Sequence, residues 1–144
     1  MSHTEERGAV VAEAMTWLRT PYHHHARVKG VGVDCAQLPI AVYSAVGIIE
    51  PIAPDYSEQW MLHRAEEQYL GWVRKFAREI PREVAGPGDF AVWRFGRTYS
   101  HGAIIVDAPM IIHACRGDDC VTLANMDQDA ELPRRPAIFF SPWG

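Results

Sequence analysis

The sequence has few cysteines, no long apolar run and no block of basic residues, and each absence narrows the possible functions. Three cysteines among 144 residues are an odd number and do not make a disulfide framework. The most apolar stretch, Ala36 to Ile49, contains Gln37, Pro39 and Ser44 and is shorter than a bilayer span requires. The formal net charge is −4, and no cluster of Lys and Arg is available to follow a phosphate backbone. We therefore expect neither nucleic acid nor a membrane among the partners.

The amino terminus also lacks the apolar core of a secretion signal, because Met1 to Arg7 is polar and contains two acids. We expect a protein that is cytoplasmic as synthesised, or that leaves the cell by packaging into a particle. In a reducing cytoplasm, Cys115 and Cys120 are expected to be free thiols. The length and the hydrophobic fraction of 48% predict one domain over residues 1–144.

The first element that the sequence predicts is a helix near the amino terminus. Thr4 suits its cap, and Glu5 and Glu6 favour its first turn. Pro21 is expected to end it, because a residue that precedes a proline is pushed out of the α region. The apolar residues expected on its inner face are Val10, Ala14, Trp17 and Leu18.

The second predicted helix follows a glycine-containing loop and begins beside a cysteine. Asp34 suits its cap, and the helix is expected to run through Val46 with apolar residues on nearly all sides. This pattern predicts a buried helix. Pro39 predicts an irregular first turn, because proline has no N–H to donate.

Beyond this helix, the pattern changes from helical to extended. Ser57 suits the cap of a third helix with Leu62, Ala65 and Tyr69 as its inner stripe. From Gly86 onward the chain reads as short strands separated by turn residues. Helices followed by strands predict an α+β domain with an antiparallel sheet. The predicted strands are Phe90–Phe95, His101–Asp107, Met110–Cys115, Val121–Ala124 and Ala137–Phe140.

Cys35 is the candidate nucleophile. At a helix start, a sulfur meets backbone N–H groups and the positive end of the helix dipole, which favour thiolate, so we expect its pKa to lie below the free value of ~8.5. An imidazole nearby would complete the requirement for nucleophilic catalysis. The alternative interpretation is a buried structural thiol, since free cysteine often behaves as a small hydrophobe.

Two histidines on neighbouring strands are the candidate partners of that thiol. His101 opens one predicted strand, and His113 lies inside a very apolar one, where a polar ring needs a partner. The two share a face of a hairpin only if the connecting loop is odd in length or a bulge intervenes. If they do share it, one ring can orient the other, as in a catalytic triad. His101 could instead be a structural histidine at a strand edge, bonded to backbone.

The run His23, His24 and His25 does not predict a metal site. Adjacent histidines cannot all face one ion from a regular element, and neither C-x-x-C nor H-E-x-x-H accompanies them. Gly30 and Gly32 do not form a nucleotide-binding pattern either. We therefore expect no metal and no cofactor.

Five short tracts, in order along the chain, resemble those of the NlpC-type cell-wall peptidases, small papain-like cysteine hydrolases. They are Thr20-Pro21-Tyr22, Gly32-Val33-Asp34-Cys35, Pro87-Gly88-Asp89-Phe90, Ser100-His101-Gly102-Ala103-Ile104 and Ile112-His113-Ala114. The sequence departs from the family pattern after the cysteine, where Ala36-Gln37 stands in place of a small pair. The tracts Tyr56-Ser57-Glu58-Gln59-Trp60 and Arg94-Phe95-Gly96-Arg97 further resemble the phage and prophage branch, whose members are associated with tails.

The resemblance implies a papain-like fold with Cys35 as nucleophile, His101 as general base and His113 as the residue that orients it. Tyr22, Asp34 and Ser100 would lie in the substrate groove. The implied reaction is hydrolysis of an amide in the peptidoglycan stem peptide through a thioester acyl-enzyme, with phage tail proteins as further partners. Two alternatives remain open. One is a papain-like amidase or acyltransferase on another substrate, and the other is a virion assembly component with weakened catalysis.

Overall fold

The computed structural model describes residues 3–24, 26–49, 69–71 and 73–143. Two helices precede most of the strands, and the strands are antiparallel, so the predicted α+β class is confirmed. The helices are α1 (His3–Met15) and α2 (Gln37–Val46). The strands are β1 (Arg27–Val28), β2 (Gly32–Val33), β3 (Arg78–Ile80), β4 (Phe90–Phe95), β5 (Thr98–Asp107), β6 (Met110–Cys115), β7 (Cys120–Asn125) and β8 (Ala137–Ser141). Short 3-10 turns lie at Arg82–Val84 and Leu132–Arg134.

The main sheet has six strands in the order β3-β8-β4-β5-β6-β7, while β1 and β2 form a separate pair. The predicted bounds of β4 and β6 are confirmed, and the predicted bounds of β5, β7 and β8 fall within three residues of the observed ones. β5 starts earlier because Thr98 and Tyr99 pair with the end of β4 in a tight hairpin. The sequence did not predict β1, β2 and β3, which are two or three residues long.

The two faces of the main sheet pack against different parts of the chain. The helix face carries Phe90, Val92, Ile104 and Ile112, which pack with buried residues of α1 and α2. The loop face carries Ala91, Trp93, Ala103, Ile105 and Ile111, which pack with Met126 and Leu132 of the segment after β7. Because residues alternate along a strand, each residue of β5 belongs to one face or the other.

Helix α2 is fixed to the helix face by fully buried side chains. Leu38, Ile40 and Val42 have no exposed surface, and the Tyr43 hydroxyl donates to the Gly88 carbonyl at 2.6 Å. The Tyr43 ring also meets the Phe90 ring edge-on at 5.5 Å. Burying a side chain of this size contributes roughly 1.5–3 kcal/mol. This packing holds the start of α2 against β5. The helix ends at Val46, as predicted, with Gly47 in the left-handed region at φ 86°.

The first helix differs from the prediction at both ends. Thr4 lies inside α1, so it is not the cap. The helix ends at Met15, well before Pro21, because the chain continues in tighter turns and Arg19 takes a left-handed φ of 72°. The Arg19 N–H then donates to Val121 O of β7 at 2.8 Å, and this bond holds the chain after α1 against the edge of the sheet. Val10, Ala14 and Trp17 are nevertheless buried, as expected.

The third predicted helix lies almost wholly outside the described residues, as do its cap Ser57 and the tract from Tyr56 to Trp60. Residues 69–71 and 73 are helical, and Tyr69 is buried against the helix face. No helix among the described residues is long and apolar enough to cross a membrane.

Candidate active site

Asp34 builds the turn that carries Cys35. Its Oδ1 accepts the N–H of Ala36 at 3.1 Å and that of Gln37 at 2.9 Å, so its carboxylate caps α2, as predicted. The backbone carbonyl of Asp34 also accepts the Leu38 N–H. The helix itself starts at Gln37, and Cys35 lies in the capping turn just before it. Pro39 has no N–H to donate to the Cys35 carbonyl, which would be the next helical hydrogen bond, so the first turn is irregular, as predicted.

The Cys35 thiol lies between a hydroxyl and a carbonyl. Its Sγ donates to the Ser100 carbonyl of β5 at 3.4 Å, and the Tyr22 hydroxyl is 3.7 Å from the sulfur. Tyr22 is held by its backbone, which bridges to Val33 and donates to Asp119 O at 2.9 Å. Tyr22, Asp34 and Ser100, the three residues predicted to lie around the thiol, are therefore brought together beside Cys35.

Strand β5 passes very close to the cysteine because of a glycine. A Cβ on Gly102 would lie 2.9 Å from the Tyr69 hydroxyl, 3.2 Å from Pro39 Cγ and 3.4 Å from the Cys35 carbonyl. Only glycine allows this approach without displacing a neighbour. The close approach buries the cysteine, which is 9% exposed. The sequence placed Tyr69 on the inner face of the third predicted helix and Gly102 in a family tract. It did not predict that the two meet beside Cys35, because no local pattern reveals a contact between distant segments.

His101 and His113 form a hydrogen-bonded pair, as the sequence predicted for histidines on one face of a hairpin. His101 Nε2 is 2.8 Å from His113 Nδ1, and the rings meet edge-on at 5.0 Å. The two-residue loop Ala108–Pro109 is even, but the register shifts between Ile105 and Asp107. This bulge supplies the extra residue that places both rings on the same face. Nδ1 is the ring nitrogen of His101 that remains for a second partner.

The imidazole of His101 lies on the loop face rather than against the helix. His101 pairs in register with Trp93, and directly paired residues share a face. Its ring contacts the Trp93 ring at 6.1 Å and the Phe95 ring at 5.3 Å. Cys35 meets β5 through its backbone, at Ser100 and Gly102. Within the described part of the chain, no hydrogen bond joins Cys35 Sγ to either histidine.

Burial, rather than the helix start, controls the charges of these groups. It raises the pKa of Cys35 to about 12, with the Asp34 carboxylate adding to the rise, although the Tyr22 hydroxyl and the N–H groups of Cys35 and Ala36 oppose it. The expectation of a lowered pKa is therefore wrong, because desolvation of the thiolate outweighs the helix-start effect. Burial and then His113 lower the pKa of His101 to about 3, and burial also lowers that of His113. At neutral pH the resting site holds a thiol and neutral imidazoles.

Part of the histidine run lies beside the site. His24 Nδ1 is 3.7 Å from Asp34 Oδ2, while His23 Nδ1 is 3.2 Å from the His24 carbonyl. His25 lies outside the described residues. No role was predicted for His24, since nothing in the spacing shows that the loop folds back on Asp34. Among the described residues, no group of three or more His, Cys, Asp or Glu side chains could hold a metal ion.

Comparisons with known proteins agree with this fold. Residues 19–134 match the model of the NlpC/P60 family. The NlpC/p60 domain of the peptidoglycan hydrolase SagA is similar in structure, with a TM-score of 0.61, 20% identity, and coverage of 92% of this chain and 96% of that one. NlpC2 from Trichomonas vaginalis has a TM-score of 0.70 and 14% identity over 97% of this chain, which spans 47% of that one.

A third similar structure is RipD from Mycobacterium tuberculosis, described as a non-catalytic NlpC/p60 domain protein adapted to a peptidoglycan-binding function. It has a TM-score of 0.61 and 13% identity, with coverage of 94% of this chain and 96% of that one. No curated protein matches the sequence. At these identities, the structural likenesses establish the fold, which is the papain-like fold that the sequence predicted.

Proposed function

The chain belongs to the NlpC/P60 family, and on this basis we propose that residues 1–144 form one peptidase domain that hydrolyses an amide of the peptidoglycan stem peptide. Cys35 is the nucleophile, His101 the general base and His113 the residue that orients the base. The observation that carries the proposal is the position of the thiol in the capping turn of α2, 3.4 Å from the carbonyl of the residue that precedes His101. The histidine pair at 2.8 Å supplies the base and its orienting group.

The reaction begins from neutral groups. His101 Nδ1 takes the proton of the Cys35 thiol as the sulfur attacks the substrate carbonyl, because Nε2 is already engaged by His113. The tetrahedral intermediate collapses to a thioester, and His101 returns the proton to the leaving amine. Water then attacks the thioester with the same histidine as base, which releases the acid and regenerates the thiol.

This sequence requires the His101 ring to approach the sulfur. In the resting structure the ring packs with Trp93 and Phe95, and hydrogen bonds of catalytic groups often form only when substrate is bound. Substrate that displaces the thiol from Ser100 O would free that carbonyl to accept a substrate N–H. Burial of the thiol then becomes part of the mechanism, since the thiolate exists only during the attack.

The groups around the sulfur favour a peptide substrate. The Asp34 carboxylate offers one negative charge, and the Tyr22 hydroxyl and the Ser100 carbonyl offer polar partners within the same small region. Amide N–H groups of a stem peptide match the carbonyl, and a positively charged amino group is attracted to the charge of Asp34, whose side chain is itself buried as the cap of α2. Incubation with defined stem peptides, compared with a panel of acyl donors, separates this proposal from an amidase or acyltransferase acting on another substrate.

We also propose that the protein acts as part of a phage tail. Support comes from the tract Arg94-Phe95-Gly96-Arg97, which forms the tip of the β4–β5 hairpin, where Arg94 and Gly96 are exposed. Mass spectrometry of purified virions, or of tails from an induced lysogen, tests this proposal. The protein is expected in the particle at a fixed stoichiometry, and its absence there would contradict tail association while leaving the peptidase proposal intact.

A second candidate function is binding of peptidoglycan without catalysis. It is favoured by the raised pKa of Cys35 and by the resting position of His101, which makes no hydrogen bond to the sulfur. RipD is a protein of this kind. Co-sedimentation with insoluble peptidoglycan and assay of released peptides, performed on the same sample, distinguish the two. Binding without release supports the second candidate.

A further inference from the structure

A small cavity lies behind the histidine pair, on the loop face of the sheet. It has a volume of about 80 Å³, and the pair, Asp129 and Glu131 are among its lining residues. This cavity is distinct from the surroundings of the thiol, because neither Cys35 nor Tyr22 lines it. Its volume exceeds the ~10–15 Å³ that a single water requires.

One buried polar atom points to a partner in this cavity. His113 is 2% exposed, and its Nε2 has no hydrogen-bond partner among the described residues. For His101 to accept a proton at Nδ1, its own proton must reside on Nε2 and be donated to His113 Nδ1. The proton of His113 then lies on Nε2. Leaving a buried donor without an acceptor destabilises the fold, so this N–H needs a partner.

Asp129 is the acidic residue that we assign as the acceptor for the Nε2–H of His113. Its Oδ2 accepts the N–H groups of Glu131 at 2.9 Å and Leu132 at 3.0 Å, which leaves Oδ1 without a hydrogen bond among the described residues. Burial alone would raise the pKa of Asp129, but these two N–H groups and the nearby His113 outweigh it and hold the pKa below its usual value. The side chain is therefore an anion, fixed by backbone, at the wall of the cavity that His113 lines.

We propose that Asp129 is a positioning residue for the histidine pair, and that its carboxylate accepts the Nε2–H of His113 through a water in the cavity. The inference rests on the proposed function, because it assigns Asp129 to the same proton transfer. A carboxylate here fixes the tautomer of His113, and through it the orientation of His101. It also stabilises the positive charge that His101 gains when it takes the thiol proton.

The other charged groups around the pair are few. Asp118 also acts on His113, and Arg135 acts on His101 with the opposite sign. Arg116 and Glu131 line the cavity. Asp129 differs from these groups in acting on both histidines.

Asp129→Asn tests the inference, with Asp127→Asn as the matched control. Asparagine keeps an oxygen for the N–H groups of Glu131 and Leu132, so the loop retains its cap, while the charge is lost. Asp127 lies in the same loop but pairs with Arg82 on the surface. We expect the wild type to hold His113 in the Nε2–H tautomer, as read by ¹⁵N NMR of the ring nitrogens. In Asp129→Asn the tautomers should mix and the pKa of His113 should fall, while Asp127→Asn matches the wild type.

Turnover of a stem peptide gives the second readout. We expect Asp129→Asn to lower kcat about tenfold with KM unchanged, the size of a lost hydrogen bond to a charged group, and Asp129→Glu to restore part of it. An unchanged tautomer and pKa in Asp129→Asn would overturn the inference, whatever the turnover. If the wild type shows no turnover, the proposed function fails, and the NMR comparison still decides the role of Asp129.

Discussion

His101 Nε2 and His113 Nδ1 lie 2.8 Å apart on adjacent strands, and the bulge in β5 brings them onto one face. This relationship assigns the two nitrogens of His101 to different partners, since only Nδ1 remains for the thiol. It also gives His113 a supporting role, because its Nδ1 is occupied by His101, while its Nε2 is buried without a hydrogen-bond partner among the described residues.

The orienting role of His113 predicts a graded response to substitution. An orienting group needs one hydrogen bond to the base, which an asparagine can partly replace and an alanine cannot. We expect His113→Asn to retain measurable turnover and His113→Ala to lose more, both mainly in kcat. His101→Ala should lower turnover by about 10²-fold or more, because positioned proton transfer contributes 10²–10⁴-fold to the rate. Equal turnover of His113→Ala and wild type would exclude the orienting role.

The close approach of β5 at Gly102 predicts that a methyl group added there lowers turnover more than it lowers the stability of the helices. A Cβ at this position would crowd the Tyr69 hydroxyl, Pro39 and the Cys35 carbonyl. We expect Gly102→Ala to lower turnover at least about tenfold, since a displacement near 1 Å can cost 10²-fold. Gly8→Ala in α1 is the control, because a Cβ there meets nothing within 4 Å. If Gly102→Ala and Gly8→Ala have the same kcat and KM, the close approach of β5 has no functional role.

The lowered pKa values of the histidines predict that acid destabilises the fold. An unfolded histidine titrates near 6.5, whereas burial lowers the pKa of His101 to about 3. Between these values the unfolded state binds more protons, so the free energy of unfolding falls as the pH drops from about 6.5 toward 3. Urea unfolding at pH 4.5 and 7.5 measures this loss. The loss of unfolding free energy should be smaller in His101→Gln than in the wild type, by on the order of 1 kcal/mol. An identical loss in the wild type and His101→Gln would contradict burial of a neutral His101.

The raised pKa of Cys35 predicts slow alkylation of the resting protein. At pH 7.5, iodoacetamide should react more slowly with Cys35 than with the thiol of free glutathione. The labelling rate of Cys35 should rise about tenfold per pH unit between pH 8 and 10, as the thiolate forms. Peptide mapping separates Cys35 from Cys115 and Cys120. Rapid labelling of Cys35 that is independent of pH between 6 and 8 would instead indicate a preformed thiolate–imidazolium pair.

The parts of the fold that the sequence predicted are those specified locally. The apolar residues of α2 and the Asp34 cap identify a buried helix, and the turn residues between the strands identify β4 to β8. The sequence also predicted the histidine pair, on the condition that a bulge places both rings on one face. That bulge depends on how Ile105 and Asp107 pair with β6.

The parts that the sequence did not predict depend on contacts between distant segments. The pKa of Cys35 was misjudged because its burial depends on β5 lying across it at Gly102, far along the chain. The His24–Asp34 contact and the place of Asp129 behind His113 depend on loops that close only in the folded protein. Short strands such as β1 and β2 are too brief to show an alternating pattern.

Mass spectrometry of muropeptides, after digestion of peptidoglycan with the wild type and with Cys35→Ala, tests most directly whether Cys35 is the nucleophile. We expect the wild type to produce new peptide ends from one type of amide bond and Cys35→Ala to produce none. Cys115→Ala is the matched control and should retain turnover. Equal release by the wild type and Cys35→Ala, or loss of release in Cys115→Ala alone, would contradict the assignment of Cys35 as the nucleophile.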